Sequence, residues 1–492
     1  MDKPNILFIL NDHQAYYGHG RLAGSPDIKR PNFEKLAAEG VKFTRAYTVS
    51  PVCGPARRSM LNGLYPHTHG EIKNDSNIPF KEETYLKKLA KAGYKNYYYG
   101  KWHAGPGTAH DHYCDGFSYE SYGNPYVTPE YKLYLKNNNL PYFQVKILHS
   151  FWVKLKKGDL YEPKLSMLTE NACGIMTTPK ETHETFFLAS LACKKLEQIS
   201  CSKNKQPFHL RVDFWAPHQP FFPDQESFDK YNPKEIIQYP NFGDDLKTKP
   251  EIYRYDHHFQ ISKNNRIIYP NPLPWSEWQE ILSCNYAEQT LLDEAGGMII
   301  NKLEALGLSD NTIVVWTADH GDSVACHGGH FDKNAYMPEE MVRIPLAIKY
   351  PGEIQKAQVC DELVSNLDLP LTFLEFAKTS FSKHVDGGSL FPLLKQNEIN
   401  WRKDFTCETH GHFTSHLGRL IVNKRYKYIY NEGDMDELYD LEEDPFEMNN
   451  LINDNGYSDL LMEMKARLKA WREKTNDNVV RNMIKGKRLK GK

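Results

Sequence analysis

Two apolar runs that each stop at an acidic residue constrain the fold more than any other feature of the chain. Asn5-Ile6-Leu7-Phe8-Ile9-Leu10 ends in Asn11-Asp12-His13, and Thr312-Ile313-Val314-Val315-Trp316-Thr317 ends in Ala318-Asp319-His320. Runs that are apolar without alternation mark strands buried on both faces, as in parallel sheets covered by helices. Further strands are predicted at 41–47, 94–99, 208–214 and 343–350, with helical patterns at 31–40, 82–92, 181–199 and 275–306. Strands alternating with helices predict an α/β chain built on a large, mixed but mainly parallel sheet. In open sheets of this kind ligands bind beyond the carboxyl ends of the strands. Asp12, Asp319 and His320 are therefore placed to hold a cation or to act as acids and bases. Gly100-Lys101-Trp102-His103 and Ala216-Pro217-His218 follow two further strands and bring Lys101, His103 and His218 to the same rim.

A reactive side chain is offered by Ser50-Pro51-Val52-Cys53-Gly54-Pro55-Ala56-Arg57-Arg58. Pro55 suits the first turn of a helix, which puts Cys53 at a helix N-terminus, where unpaired N–H groups and the positive end of the dipole favour an anion. Cys53 reads as a thiolate nucleophile of lowered pKa, as the foot of an oxyanion pocket, or as a buried structural thiol. Lys333 ends a Gly- and His-rich loop after the second acidic strand end. Two carboxylates with imidazole suit a divalent cation, and Arg57, Lys101, Lys333 and the histidines suit a tetrahedral oxyanion and its leaving group. That combination describes an ester hydrolase for sulfate or phosphate.

Charge narrows the partners. Lys and Arg number 61 against 63 Asp and Glu, so no basic footprint for nucleic acid or an acidic membrane is present. No apolar run approaches the roughly 18 residues of a membrane span. The first strand starts too early to leave room for a signal peptide, and nine cysteines without a CxxC pair fit a reducing compartment, so a cytoplasmic protein is expected. The segment 105–207 reads as long loops with one helix. Texture changes after 350: a helix at 363–376 is followed by strands at 419–422, 426–430 and 437–441 and a helix at 459–471. The expected organisation is a catalytic domain over 1–350, a smaller antiparallel subdomain over 351–480 and a solvated basic tail over 481–492.

Cys53-Gly54-Pro55-Ala56-Arg57, followed by Met60, Gly63 and Gly70, resembles the Cys-x-Pro-x-Arg signature of the type I sulfatases of the alkaline-phosphatase-like superfamily. The resemblance extends in order through PNILFILND, Gly100-Lys101-Trp102-His103, Ala216-Pro217-His218, Thr317-Ala318-Asp319-His320-Gly321-Asp322, Lys333 and the stretch from Lys427-Tyr428-Ile429-Tyr430 to Glu437-Leu438-Tyr439-Asp440-Leu441. It implies an alkaline-phosphatase-like fold and oxidation of Cys53 to formylglycine by a maturation enzyme. It further implies a metal, by family calcium, held by Asp12, Asp319, His320 and the modified Cys53. Arg57 would fix the formylglycine, and Lys101 and Lys333 would neutralise the sulfuryl group. His218 or Lys333 would protonate the leaving group, and His103 would serve as base.

Two positions depart from the pattern. His13 stands where many members carry a second Asp, so that ligand is either replaced by imidazole or lost, which leaves magnesium and manganese open. Ala56 replaces a frequent Ser. The alternatives are a phosphate or phosphonate monoester hydrolase of the same superfamily and a silent glycan-binding homologue. Retention of Lys101 and His103 favours sulfate. Long loops rich in Tyr and Trp suit sugar rings, so the expected substrate is a small sulfated saccharide. His327, His410 and His412 are candidate substrate contacts, and the cluster His410, His412 and His416 reads as loop residues more than as a zinc site.

Overall fold

The computed structural model describes residues 3–16, 27–119, 123–150, 155–164, 172–203, 206–255, 262–263, 266–267, 273–330, 332–397, 400–412 and 414–478; the basic tail expected at 481–492 lies outside them. The strands are β1 (Asn5–Asn11), β2 (Val41–Tyr47), β3 (Lys95–Lys101), β4 (Cys114–Tyr119), β5 (Val145–Ser150), β6 (Leu160–Tyr161), β7 (Ala172–Met176), β8 (Phe208–Asp213), β9 (Ser262–Lys263), β10 (Arg266–Ile267), β11 (Thr312–Ala318), β12 (Arg343–Lys349), β13 (Gln358–Cys360), β14 (Val364–Ser365), β15 (Phe405–Thr409), β16 (Gly418–Val422), β17 (Tyr426–Asn431) and β18 (Glu437–Asp440).

A nine-stranded sheet has the order β13-β2-β12-β11-β1-β8-β3-β4, with β14 also pairing β2. β1 is parallel to β11 and β8, β8 to β3, and β3 to β4, whereas β12 is antiparallel to both β11 and β2. β1, β2, β3, β8 and β11 therefore point the same way, and their carboxyl ends share one rim. Register sets the level of the site: Leu10 lies opposite both Thr317 and Asp213, so Asp12, Asp213 and Asp319 emerge side by side.

Both faces of the sheet are covered, which is why β1 is apolar without a gap. Leu7 and Ile9 pack with Phe33, Phe187 and Leu291 of the helices Pro31–Ala38, Glu184–Ser200 and Trp275–Ala305. Ile6, Phe8 and Leu10 pack with Leu86, Leu89 and Phe373 of the helices Tyr85–Lys91 and Leu369–Phe376. Each such buried side chain contributes about 1.5–3 kcal/mol.

β15 to β18 form the expected antiparallel sheet, in sequence order. One face meets Met464 and Leu468 of the helix Ser458–Thr475 through Ile421, Tyr428 and Leu438, and the other packs Cys407, Leu420 and Ile429 with Tyr47 and Leu367.

The structure differs from expectation in four places. β13 and β14 pair with β2, and Phe373 packs against Phe8, so the large layered unit runs past residue 350. The segment 363–376 is not one helix. Asn366 is committed to Thr48 and Val49, Ser365 and Asp368 form a capping box, and the helix begins at Leu369 with Pro370 in its first turn. The helix expected at 82–92 starts at Tyr85 because Thr84 caps it by accepting from Lys87 N–H. The segment expected as loops holds β4, a three-stranded sheet of β6-β5-β7, and the helix Pro129–Asn137 capped by Thr128.

Gly100, just before Lys101, has φ +119°, and a Cβ there would lie 1.9 Å from the Asp213 carbonyl oxygen on the neighbouring strand. Gly100→Ala is expected to cost on the order of 3 kcal/mol or more, seen as a lowered thermal midpoint, because rigid backbone on β8 has to move.

Candidate active site

Cys53 opens the helix Cys53–Asn62 after an extended Val52, and the site is built around it. Its Sγ lies 3.0 Å from His320 Nε2 and 3.5 Å from Asp12 Oδ1. Burial, followed by the Asp12 charge, pushes the thiol up to about 12. The helix N-terminus therefore does not make Cys53 a thiolate, and the low-pKa reading fails because desolvation outweighs the dipole and the nearby lysines.

Asp12, Cys53, Asp319 and His320 are all buried and offer ligand atoms within 4.8 Å of one another. The Lys101 ammonium donates a short hydrogen bond to Asp12 Oδ2. Burial would raise the Asp12 carboxyl, but Lys101 and then Arg57 hold it well below the usual range. Arg57 Nε donates to Asp319 Oδ2 at 2.8 Å, and Nη1 donates to Asp213 Oδ2 at 3.1 Å and to the Lys101 carbonyl at 3.0 Å. His320 Nδ1 donates to the Gly321 carbonyl at 2.8 Å, which leaves Nε2 as the lone-pair nitrogen facing Cys53. Burial keeps His320 neutral. Two carboxylates and a neutral imidazole converging in one buried space fit a divalent cation of the calcium, magnesium or manganese kind.

A second set of residues flanks this centre. His218 follows the Ala216-Pro217 bond of the loop after β8; its Nδ1 donates to the Gln219 carbonyl at 2.8 Å, and its Nε2 accepts from Lys333 Nζ at 2.7 Å. Burial, then the Lys333 charge, holds His218 neutral. His103 has its Nε2 3.6 Å from Asp75 Oδ1, and burial pushes it down to about 4. His412, half-buried after β15, is pushed down by burial and then by the charges of Lys333, His320 and His103.

Three of the expected residues are placed elsewhere. The His13 ring packs between His320 (centroids 4.8 Å) and His218 (4.9 Å), with its Nε2 towards Asp322 and Asp332 and outside the four converging ligand groups; its backbone is left-handed (φ +66°) and its N–H is tied to Asp319 Oδ1 at 2.9 Å. His410 is buried, 3.2 Å from Glu408 Oε1 and 3.4 Å from Arg419. His327 is fully buried, with Nδ1 3.1 Å from Asp244 and Nε2 3.6 Å from Glu340.

The His327 pair makes its own prediction. Burial opposes charge on both partners, yet His327 holds Glu340 down to about 2, and Asp244 and then Glu340 raise His327 above 6.5. The Glu340 contribution is complete above pH 4.5 and lost as pH falls towards 2; that of His327 is complete below pH 6.5 and lost as pH rises through its folded value. His327→Gln should therefore cost about 3–5 kcal/mol. The gap between wild-type and variant melting temperatures should be widest between pH 4.5 and 6.5.

Two contributors went unnoticed in the sequence. Asp213 ends β8 under the rule that singled out Asp12 and Asp319, and that position was the available signal. Asn74 accepts from the Gly54 N–H at 2.8 Å and steadies the first turn beside Cys53, but it lies in a loop with no pattern to mark it.

A sulfatase family model matches residues 4–379, and a model of the N-sulphoglucosamine sulphohydrolase C-terminal region matches residues 326–474. The chain is 27% identical over 473 residues to the ulvan-active sulfatase of Formosa agariphila, covering 95% of this chain and 80% of that protein. It is 26% identical over 519 residues to the N-acetylglucosamine-6-O-sulfatase of Bacteroides thetaiotaomicron, covering 97% and 87%. In fold it is similar to the crystal structure of the phosphonate monoester hydrolase of Agrobacterium radiobacter, with a TM-score of 0.76, 18% identity and 96% of each chain covered. The family model spans the large sheet and every strand end that feeds the site, and the chain belongs to the sulfatase family of sulfuric ester hydrolases, with the alkaline-phosphatase-like fold.

Proposed function

We propose that the protein hydrolyses the sulfate ester of a small sulfated saccharide, with Cys53 matured to formylglycine by a separate enzyme and a divalent ion, by family calcium, held by Asp12, Cys53, Asp319 and His320. The observation that carries this reading is the gathering of Cys53, two carboxylates and His320 within 4.8 Å. The ion would supply charge for the nucleophile and a sulfate oxygen, and formylglycine would supply a hydrated aldehyde as nucleophile. The chain's own residues do the rest. Arg57 holds Asp319 and the first turn in place, and Lys101 and Lys333 balance the sulfuryl charge. The His218 tautomer accepts from Lys333, so Lys333 Nζ carries the proton that passes to the leaving alkoxide as the S–O bond breaks, and His218 aims it. His103, neutral by burial, takes a proton from the nucleophilic side.

The saccharide reading is supported by the relatives whose names specify ulvan and N-acetylglucosamine 6-sulfate. We further propose a reducing, cytoplasmic setting, which the nine free cysteines favour.

The chain is to be co-expressed with a formylglycine-generating enzyme and the tryptic peptide 46–57 weighed. A peptide about 18 Da lighter than the thiol form is expected, together with sulfate release from sulfated mono- or disaccharides. An unmodified peptide with no release would favour a silent homologue; turnover of an aryl sulfate alone would remove the saccharide claim. Faster turnover of a phosphonate or phosphate monoester would favour the rival hydrolase.

A further inference from the structure

Next to the catalytic centre lies a group of donors of which the chemistry above uses only His218. His13 is fully buried, yet neither ring nitrogen makes a hydrogen bond among the described residues. Its Nε2 lies 3.5 Å from Asp322 Oδ1 and 3.7 Å from Asp332 Oδ1, and these carboxylates are 2% and 5% exposed. Asp322 Oδ2 is likewise buried without a hydrogen-bond partner among the described residues. His13, His218 and Asp332 offer ligand atoms within 4.8 Å of one another. The 3.7 Å between His13 and Asp332 is a separation of ligands that share one ion at about 2.0–2.2 Å from each. Lys333 sets one positive charge against the two carboxylates: its Nζ lies 3.4 Å from Asp332 Oδ1 and 2.7 Å from His218 Nε2.

We infer that His13, His218 and Asp332 form a second divalent-cation site, with Asp322 beside His13, separate from that of Asp12, Cys53, Asp319 and His320 and suited to a zinc-class transition ion. Two imidazoles with a carboxylate favour Zn2+ over Ca2+, which prefers an all-oxygen shell. The ion ties together the loops that follow β1, β8 and β11. It takes over the His218 nitrogen on which Lys333 now rests, so the Lys333 ammonium competes with it. This reading is independent of the maturation of Cys53 and of the substrate.

The test is calorimetric titration of the purified chain, saturated with Ca2+, with Zn2+, followed by elemental analysis after gel filtration. One zinc equivalent is expected in the wild type. His13→Ala should lose it, Asp332→Asn should bind at least tenfold more weakly, and Lys333→Ala should bind more tightly. Asp319→Asn, which alters the first site and keeps an acceptor for the His13 N–H, should retain it. Thermal melts report whether each variant folds, and Asp332→Asn decides the matter if His13→Ala does not. No zinc uptake by the wild type, or uptake kept in Asp332→Asn and lost in Asp319→Asn, would overturn the assignment.

Discussion

Asp319→Ala is expected to release the divalent ion from the first site and to lower sulfate-ester turnover by at least about 10³-fold, with the fold retained. The magnitude follows from the several kcal/mol of charge stabilisation that a bound metal supplies, each 1.36 kcal/mol being about tenfold in rate. Asp319 does more than offer a ligand: Oδ2 accepts from Arg57 Nε at 2.8 Å, and Oδ1 accepts from the N–H groups of His13 and His320, each at 2.9 Å. Alanine removes these at once. The fold survives because Arg57 keeps Asp213 and the Lys101 carbonyl. Elemental analysis, sulfate release and circular dichroism check the three parts, and undiminished turnover would remove Asp319 from the catalytic centre.

The largest loss of stability is expected at Asp213. Its carboxylate is fully buried, accepts from Arg211 at 2.6 and 2.8 Å, from Arg57 at 3.1 Å and from the Tyr98 hydroxyl at 2.7 Å. Asp213→Ala strips two buried guanidinium groups of a shared counter-charge and should cost about 3–5 kcal/mol. A lower denaturation midpoint with an unchanged slope is the expected reading. Tyr98→Phe, which removes a single neutral donor, should cost only about 1 kcal/mol. If the two variants lose equally, Asp213 is not the keystone of the charge network. Turnover should fall with Asp213→Ala as well, because Arg57 then loses one of the groups that aim it at Asp319.

The strand ends were legible because they are local patterns. An apolar run followed by Asp needs only its neighbours in sequence to be recognised, and β1 and β11 have the bounds and burial that such runs require. The helix at 363–376 misled for the same reason: its apolar spacing is local, while the commitment of Asn366 to Thr48 and Val49 spans more than 300 positions. Histidines were the least legible residues. His218, His327 and His410 share similar Gly- or Pro-rich loops in sequence, and only His218 reaches the catalytic centre.

By itself the sequence determined the α/β layering, the antiparallel C-terminal sheet and the residues that stand at the carboxyl ends of β1, β3 and β11, because hydrophobic periodicity and strand polarity are written residue by residue. Tertiary structure decided the electrostatics. The thiol of Cys53 is pushed up by burial, His13 is turned towards Asp322 and Asp332, and Asp213 joins Arg57 to Arg211. Each of these depends on solvent exclusion and on charges brought from distant segments, and interaction energy in a buried site is set by distance and desolvation, neither of which a linear pattern encodes.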